Sequence, residues 1–375
     1  MAGSIALPRF AGARPGSMRI GLEWMVLDCL TYDLQPAAPD IVARLDRQHA
    51  PWTARLEIDA ATLEVTTAPL DGYRAAADAL EDMRCSVRRA ARSVGAAVAG
   101  GGTHPVRTCG ANPHGVVPSA PKQFAGFGMR VEIGAPGADE AVRIGAWLGQ
   151  RAPLFIALSA SSPYWRGMDS GCCSARNHAA GTLQASGIMP SSLRSWQDIA
   201  HHVARLARYG LATCIQDVDW DVRPDPGRGA IELRALDTPL HPAYAAALAC
   251  YARELCVEAA ECTGAWPGRH AADLYPWNRF IATRRGVLGD WIDPCTRKKY
   301  PIEHVVRNDL ARLAARSDDP DFPAACLLIH ALLHNGGQAR WLTAYKAAGA
   351  GLNDLARLAS AMFDSPMAPG WKVQQ

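Results

Sequence analysis

The stretch RIGLEWMVLD, residues 19–28, has the pattern of a β-strand with one acidic residue among apolar ones. Successive side chains of a strand point to opposite faces, so Glu23 lies on the face opposite Leu22 and Trp24. The strand therefore predicts a sheet with one apolar face and one face that is wet or functional.

Three further strand-like stretches carry acids in the same way. They are RLEIDAATLEVTTAP at 55–69 with Glu57 and Glu64, GFGMRVEIGAP at 126–136 with Arg130 and Glu132, and GAIELRALDTP at 229–239 with Glu232 and Arg234. Clustered buried carboxylates need a cation to offset their repulsion, and Mg²⁺ is the natural candidate because it prefers hard oxygen ligands. The alternative for any single glutamate is an ordinary exposed residue of an antiparallel sheet, paired with a nearby arginine.

Hydrophobic periodicity predicts long helices between short strands. Strand-like runs occupy 19–28, 53–58, 61–67, 95–99, 128–134 and 229–235, and helix-like segments occupy about 71–93, 137–158, 190–208 and 240–262, before a mostly helical region from about 303. In the helix predicted over 190–208, Ser195 and Asp198 stand at capping-box spacing and Gly210 ends the helix. Strands and long helices without regular alternation predict an α+β sheet backed by helices.

Composition excludes several classes of protein. A chain of 375 residues with 49% hydrophobic and 20% charged residues is globular with a large core. Its 39 basic and 36 acidic residues are scattered and give a net charge of +3, which predicts neither a nucleic-acid partner nor a membrane surface. Eleven cysteines without a CxxC pair, and no long apolar run, favour reduced buried thiols and a cytoplasmic location. We expect a flexible tail over 1–17, with Met18 as an alternative start, and a single domain over 18–375.

Longer motifs give the chain a resemblance to a known family. The motifs are GLEWMVLD at 21–28, GGGTHP at 100–105, LSASSPYWRGMDSGCCSAR at 158–176, WDVRPDPGRGAIELRALDTPL at 220–240 and NRFIATRRGVLGDWIDP at 278–294. From about Arg19 to about Phe363 the chain resembles the carboxylate-amine ligases related to glutamate-cysteine ligase, of the second bacterial type. The resemblance implies a glutamine synthetase-like α+β domain, whose antiparallel sheet cups the active site and is backed by helices.

The resemblance also implies a reaction and its residues. ATP and Mg²⁺ would drive the joining of a small, amino-acid-like carboxylate substrate to an amine substrate through an acyl phosphate. The implied residues are Glu23, Glu57, Glu64 and Glu232 as metal ligands, Arg234, Arg284 and Arg176 in catalysis, and His104 and Arg284 at the nucleotide. To these we add two residues that depart from the family pattern, Glu132 as a metal ligand and Arg130 at the nucleotide. A loop-ordering role for His104 and structural ion pairs for Arg176 and Arg284 are the alternatives, and the resemblance allows a homo-oligomer.

Two departures from the family pattern concern the metal site. The family carries a second acid two residues after Glu23, where this chain has Met25, and a thioether is a poor magnesium ligand. Two family histidines are replaced by Arg130 and Glu132. One hypothesis is that Glu132 compensates for the acid missing at position 25 while Arg130 supplies a fixed cation. A catalytically silent or binding-only relative is the rival hypothesis, and amide hydrolysis at the same metal site is a third.

Other reactive residues have plainer explanations. His330 and His334 stand at helical spacing in an apolar segment, which favours packing over zinc binding. Cys172 and Cys173 lie within a family motif that needs no thiol nucleophile. The glycines at 100–102 lack the GxxxxGK[ST] pattern of a phosphate-binding loop.

Overall fold

The computed structural model describes residues 9–45, 51–57, 59–107, 126–180, 187–262 and 269–366. The strands are β1 (Met18–Asp28), β2 (Trp52–Leu56), β3 (Thr62–Thr67), β4 (Ala96–Ala99), β5 (Gly128–Gly134), β6 (Tyr164–Trp165), β7 (Met168–Asp169), β8 (Val222–Asp225), β9 (Ala230–Asp237), β10 (Asp290–Ile292) and β11 (Lys299–Pro301). The helices are α1 (Ala38–Leu45), α2 (Gly72–Arg92), α3 (Ala138–Ser159), α4 (Ala175–Ala180), α5 (Trp196–Arg208), α6 (Pro242–Glu261), α7 (Arg269–Arg285), α8 (Ile302–Ala314), α9 (Phe322–His334), α10 (Gln338–Ala347) and α11 (Leu352–Asp364).

One antiparallel sheet organises the fold. Its strand order is β2-β3-β1-β5-β9-β8, and β4 pairs with the C-terminal half of β1. The pairs β6–β7 and β10–β11 form separate small hairpins. This arrangement confirms the predicted α+β fold, and the six predicted strands are all present. The strand β8 was not predicted, because its four residues contain Pro224 and carry no clear alternation.

The two faces of β1 meet different surroundings. Leu22, Trp24 and Val26 are fully buried in the main core, which includes residues of α2, α3 and α6. The Trp24 ring packs edge-on against Phe363 with centroids 5.0 Å apart. Each such side chain contributes about 1.5–3 kcal/mol through burial. The apolar face predicted from RIGLEWMVLD therefore anchors the sheet to the helices.

The helix α5 begins later than predicted. It starts at Trp196 because the capping box is formed: the Ser195 hydroxyl accepts a hydrogen bond from Asp198 N at 3.1 Å, and Asp198 Oδ2 accepts one from Ser195 N at 2.9 Å. Gly210 follows the helix with a φ of +67°. The cap and the stop signal are confirmed, while residues 190–195 form turns. The helix α7 was not predicted, because Pro276 interrupts its pattern.

The N-terminal segment 9–17 lies along one end of the sheet. Ala11 N donates to Pro226 O at 2.8 Å, and Gly16 N donates to Gly134 O at 3.1 Å. These contacts hold the described part of the predicted tail against β5 and the turn between β8 and β9. Residues 1–8 of that predicted tail lie outside the described residues.

Cysteine burial is more varied than predicted. Ten described cysteines are free thiols. Cys250, Cys256 and Cys326 are buried, but Cys29 and Cys262 are exposed, so the prediction of buried thiols was wrong for part of the set. Cys109 lies outside the described residues. None of the described helices combines the length and the apolar character needed to cross a bilayer.

Replacing the cap of α5 tests how much this local signal stabilises the fold. Ser195→Ala removes the acceptor of the capping box and should lower the free energy of unfolding by about 1 kcal/mol. Ser195→Asp keeps an acceptor and is the matched control, with stability close to wild type. Urea denaturation measures both, and equal losses in the two variants would contradict a capping role.

Candidate active site

Strand register brings the acids of neighbouring strands side by side. Glu23 on β1 stands opposite Glu64 on β3, and Glu132 on β5 stands opposite Glu232 on β9. Opposed residues share a face, and Arg19, opposite Glu132, lies four residues from Glu23 on β1. All four acids therefore occupy the face of the sheet turned away from Leu22 and Trp24.

The acids form two groups on this face. The first acidic group is Glu23, Glu57 and Glu64, with Glu57 one residue beyond the end of β2. The second acidic group is Glu132 and Glu232. The four-residue offset along β1 separates the two groups by roughly 13 Å. The five predicted metal ligands thus share a face without forming one cluster.

The first acidic group contains more negative charge than its arginine offsets. Glu64 forms an ion pair with Arg130, and Glu23 Oε2 accepts a hydrogen bond from Gly128 N at 2.7 Å. Burial, a hydrogen bond with Glu64 and the charge of Glu23 raise the pKa of Glu57 to about 7. Burial is the main cause of this rise and the acidic neighbours add to it, so a cation close to Glu57 would favour its ionised form.

The residue types of the first acidic group are those that bind divalent cations. Three carboxylates supply the hard oxygen donors that Mg²⁺ prefers. Within the described ranges, no three His, Cys, Asp or Glu side chains already converge in metal-holding geometry. A metal at this position would compete with Arg130 for the Glu64 carboxylate.

Arg130 lies between the two acidic groups. The register of β5 with β9 shifts between Met129 and Val131, which places Arg130 at a bulge. Burial disfavours its charge, but Glu64 and Glu23, together with acids of both groups, outweigh burial and raise the pKa of Arg130. Arg130 therefore stays charged beside the acids, and its role as a fixed cation of a functional site stays a prediction.

The second acidic group already has arginine partners. Glu232 is buried, and its Oε2 accepts a hydrogen bond from Arg223 Nε at 2.7 Å. Glu132 Oε2 lies 3.4 Å from Arg228 Nε and 3.7 Å from Arg19 Nη1. Burial raises the pKa of Glu132. Because arginines offset these charges, Glu132 and Glu232 fit a metal less well than the first group does.

Arg223 is a site residue that sequence reasoning missed. It is buried, lies opposite Glu232 in the pairing of β8 with β9, and also donates to Gln216 O at 2.6 Å. The signal was present in WDVRPDPG, residues 220–227, where β8 ends and a four-residue turn, 226–229, leads into β9. Recognising β8 as a strand would have placed Arg223 beside Glu232.

The hypothesis that Glu132 replaces an acid at position 25 is wrong. Met25 is buried in a second apolar cluster with Phe127 and Leu240. Glu132 lies opposite Arg19, six residues along β1 from Met25, which is a distance of roughly 20 Å. A carboxylate that far away cannot join the ligands that a residue at position 25 would reach.

A buried carboxylate explains the serine-rich motif at 158–176. Asp237 accepts hydrogen bonds from Ser161 N at 3.0 Å, Ser162 Oγ at 2.7 Å, Ser174 Oγ at 2.9 Å and Asn177 Nδ2 at 3.3 Å. Burial raises its pKa, and Arg176 and these donors oppose that change. Asp237 therefore joins the end of β9 to both ends of the motif.

Arg176 lies close to the first acidic group, with Gly128 between its guanidinium and Glu23. Its Nη1 donates to Leu236 O at 3.1 Å, and its guanidinium lies against Gly128. A Cβ at Gly128 would stand 2.3 Å from Arg176 Nη2, so a side chain there would displace the guanidinium. The N–H of the same glycine donates to Glu23. Arg176 thus borders the site.

His104 and Arg284 stand apart from the acids. The His104 ring is buried, with Nε2 2.9 Å from Tyr32 O, and Nδ1 accepts from Arg107 N at 2.9 Å. Burial lowers its pKa and favours a neutral ring, so the loop role is favoured over nucleotide binding. Arg284 is exposed near the Cys172 thiol, and no described ion pair joins it to either acidic group.

A second missed arginine connects two motifs. Arg279 Nε lies 2.7 Å from Asp221 Oδ2, which also accepts a hydrogen bond from the Tyr275 hydroxyl at 2.5 Å. The Asp221 carbonyl accepts from Arg234 N at 2.9 Å. This ion pair therefore supports the strand that carries Arg234. Both partners lie in motifs quoted from the sequence, but only the structure pairs them.

Comparison with known sequences gives a consistent family signal. The sequence profile described as Glutamate-cysteine ligase family 2 matches residues 19–358. A protein of Methylibium petroleiphilum, provisionally named glutamate–cysteine ligase 2, is 33% identical over 356 residues, which cover 92% of this chain and 95% of that protein. A protein of Nitrosospira multiformis with the same provisional name is 33% identical over 368 residues, covering 94% and 98%.

Solved structures show a similar fold. Glutamate–cysteine ligase of Francisella tularensis, crystallised with AMP, has a TM-score of 0.66 and 11% identity, covering 95% of this chain and 91% of that one. A bifunctional glutathione synthetase of Pasteurella multocida has a TM-score of 0.60 and 14% identity, covering 93% and 52%. At these identities the likeness concerns the fold alone.

The Asp237 network can be tested against a nearby aspartate. Asp237→Asn places an amide among four hydrogen-bond donors and should lower the free energy of unfolding by about 3 kcal/mol or more. Asp169→Asn is the control, because Asp169 is exposed in the same motif and only accepts from Gly171 N at 2.8 Å. Its change should stay within about 0.5 kcal/mol. Chemical denaturation compares the two, and similar small losses would show that Asp237 does not hold the motif.

Proposed function

The chain belongs to glutamate-cysteine ligase family 2, and from this premise we propose that it is an ATP- and Mg²⁺-dependent ligase joining a small amino-acid-like carboxylate to an amine. The observation that carries the proposal is the charge of the first acidic group. Three carboxylates share one arginine there, and the pKa of Glu57 rises to about 7. Such a group can bind the Mg²⁺ of a magnesium–nucleotide complex, in which the phosphates also coordinate the cation.

The proposed reaction has two steps. An oxygen of the substrate carboxylate attacks the γ-phosphorus of ATP, and the bond to the ADP oxygen breaks, which leaves an acyl phosphate. The amine nitrogen then attacks the acyl carbon, phosphate departs with the bonding electrons, and the nitrogen loses a proton to water. The product is an amide of the γ-glutamylcysteine type. The relatives' names make glutamate and cysteine the first pair to test.

In this proposal the first acidic group holds the metal. Glu23, Glu57 and Glu64 would bind Mg²⁺, which neutralises phosphate charge when bound. Gly128 N fixes one oxygen of Glu23 and leaves the other free to point at a ligand. Arg130 holds Glu64 until a stronger cation takes its place.

Arg234 is our candidate for stabilising the transferring phosphoryl group. Its guanidinium lies 3.6 Å from Asp219 and 3.9 Å from Glu232, which is longer than a direct hydrogen bond. The backbone of Arg234 is fixed by its hydrogen bond to Asp221 O, while its guanidinium N–H groups are only weakly paired. These N–H groups can therefore turn toward a developing oxyanion without breaking strong hydrogen bonds. Arg176 lies beside Gly128 at the first acidic group, the contacts of the buried His104 favour a positioning role, and the exposed Arg284 lies near Cys172.

A turnover assay tests the proposal directly. ADP release should require a carboxylate, an amine and Mg²⁺ together, and glutamate with cysteine is the first pair within a panel of amino acids and amines. Glu23→Gln and Glu64→Gln should each lower kcat by about 100-fold, because each removes a charged ligand. Glu303→Gln, on α8 and paired with Arg307, should keep wild-type turnover.

The same assay separates the rival functions. Release of ADP with either substrate omitted would count against a ligase. Absence of both ADP release and ATP binding across the panel would favour the silent relative. Hydrolysis of amides without ATP would favour the third hypothesis from the sequence.

The pKa of Glu57 predicts a pH-dependent stability of the metal-free protein. Its ordinary value of 4.5 is raised to about 7 by folding, so the folded state favours the protonated form. The stabilising contribution is complete below pH 4.5 and is lost as pH rises through about 7. Mg²⁺ binds the ionised group, so it should raise Tm more at about pH 8 than at about pH 5.5.

Thermal unfolding at both pH values, with and without Mg²⁺, measures this linkage. Glu57→Gln cannot ionise and should lose most of the pH dependence and of the Mg²⁺ effect. Glu303→Gln should retain both. A Glu57→Gln profile that overlays the wild-type profile would show that another group is responsible.

A further inference from the structure

A cleft of about 330 Å³ opens at the end of the acidic face, beyond the second acidic group. Its lining includes Arg14, Arg19, Glu132 and Arg228, and the N-terminal segment supplies one wall through residues 12–17. The volume lies in the range of small-ligand sites. Five of its ten lining residues are polar or charged, and three of these are arginines.

The charges in the cleft favour an anion. Arg19 and Arg228 both approach the same Glu132 oxygen, at 3.7 and 3.4 Å, so two guanidinium groups share one carboxylate. No hydrogen bond from the described residues reaches this buried oxygen. The charge of Arg14 is matched by Asp71. Two positive charges against one negative charge leave a net positive charge of one.

Burial, and after it the charges of Glu232 and Asp225, raise the pKa of Glu132, so both acids act on the cleft, but neither is among its lining residues. Glu232 is engaged by Arg223 at 2.7 Å. Asp225 caps the turn after β8, where its Oδ1 accepts from Gly227 N at 2.9 Å and from Arg228 N at 3.2 Å. The Arg228 backbone is thus fixed while its side chain faces the cleft.

The wall of the cleft is built by close backbone approach. A Cβ at Gly134 would stand 2.2 Å from Arg14 O, and a Cβ at Gly229 would stand 1.8 Å from Ala11 O. Arg253, on α6, donates a hydrogen bond from Nε to Gly16 O at 2.9 Å. Gly134, Gly229 and the hydrogen bond from Arg253 therefore fix the position of the N-terminal segment 9–17, which precedes β1.

We propose that this cleft is an oxyanion subsite, in which a phosphate or carboxylate group of a bound substrate bridges Arg19 and Arg228. Guanidinium groups bind such oxyanions through paired N–H donors. Glu132 is the internal competitor for the same donors. The subsite rests on the proposed function in one respect: the oxyanion belongs to a substrate of the ligase.

Direct binding measurements test the subsite without turnover. Isothermal titration with tripolyphosphate and, separately, with glutarate compares the two sources of the oxyanion. Arg19→Gln and Arg228→Gln should each weaken binding of the cognate probe by at least about tenfold. Glu132→Gln should tighten binding, because it removes the competing charge. Arg228→Lys should recover part of the affinity, since it keeps the charge but not the fork.

Two further variants complete the design. Arg357→Gln is the control, because Arg357 is exposed and pairs with Asp354 on α11 at 3.0 Å. Gly134→Ala removes no charge but displaces the wall, so it should weaken binding. Thermal unfolding verifies that each variant is folded before its titration is interpreted.

The outcomes are distinct. Weaker binding in the arginine variants together with tighter binding in Glu132→Gln supports the subsite, and the probe that responds identifies phosphate or carboxylate. Failure of both probes to bind the wild type, or arginine variants that bind like Arg357→Gln, overturns it. Probe binding without any ADP release would defeat the proposed function alone. ADP release with unchanged KM values in Arg19→Gln and Arg228→Gln would defeat the subsite alone.

Discussion

The direct opposition of Glu23 and Glu64 across β1 and β3 is the constraint on which the site depends. Like charges directly opposite one another destabilise an antiparallel pair, and Glu57 adds a third carboxyl at the end of β2. The apolar face of β1 compensates by burying Leu22 and Trp24 against the helices. Burial of the apolar face therefore stabilises the pairing of β1 with β3, which the repulsion between acids on the opposite face destabilises.

Arginines moderate this repulsion without removing it. Arg130 pairs with Glu64 and is close enough to the other acids for its own pKa to rise despite burial. In the second acidic group Arg223 offsets Glu232 closely, while Glu132 has two guanidinium groups at longer range. Charge is thus balanced unevenly, because three acids of the first acidic group share Arg130, whereas Glu132 and Glu232 lie near Arg19, Arg223 and Arg228.

The sequence predicted the features that depend on local pattern. Alternation with a period of two placed the acids on strands, Ser195 and Asp198 identified a helix start, and the motifs identified the family, whose assignment as a carbon–nitrogen ligase family is confirmed. Features that depend on register between distant strands were not predictable. The pairing of Arg223 with Glu232, and the distance from Met25 to Glu132, required the sheet order. The hydrogen bonds of the two His104 ring nitrogens, to Tyr32 O and from Arg107 N, likewise required the tertiary structure.

The uneven balance of charge affects both the stability of a sheet face with five acids and the ease with which that face binds ligands. A site built only of carboxylates would repel itself, whereas one whose acids were all closely paired would have to break strong buried ion pairs before binding anything. This chain lies between these limits. The pKa of Glu57 is raised to about 7, Arg130 pairs with Glu64, and Glu132 lies 3.4 and 3.7 Å from two arginines. In the function and the subsite that we propose, an incoming cation replaces Arg130 and an incoming oxyanion replaces Glu132, each an internal partner of its own sign.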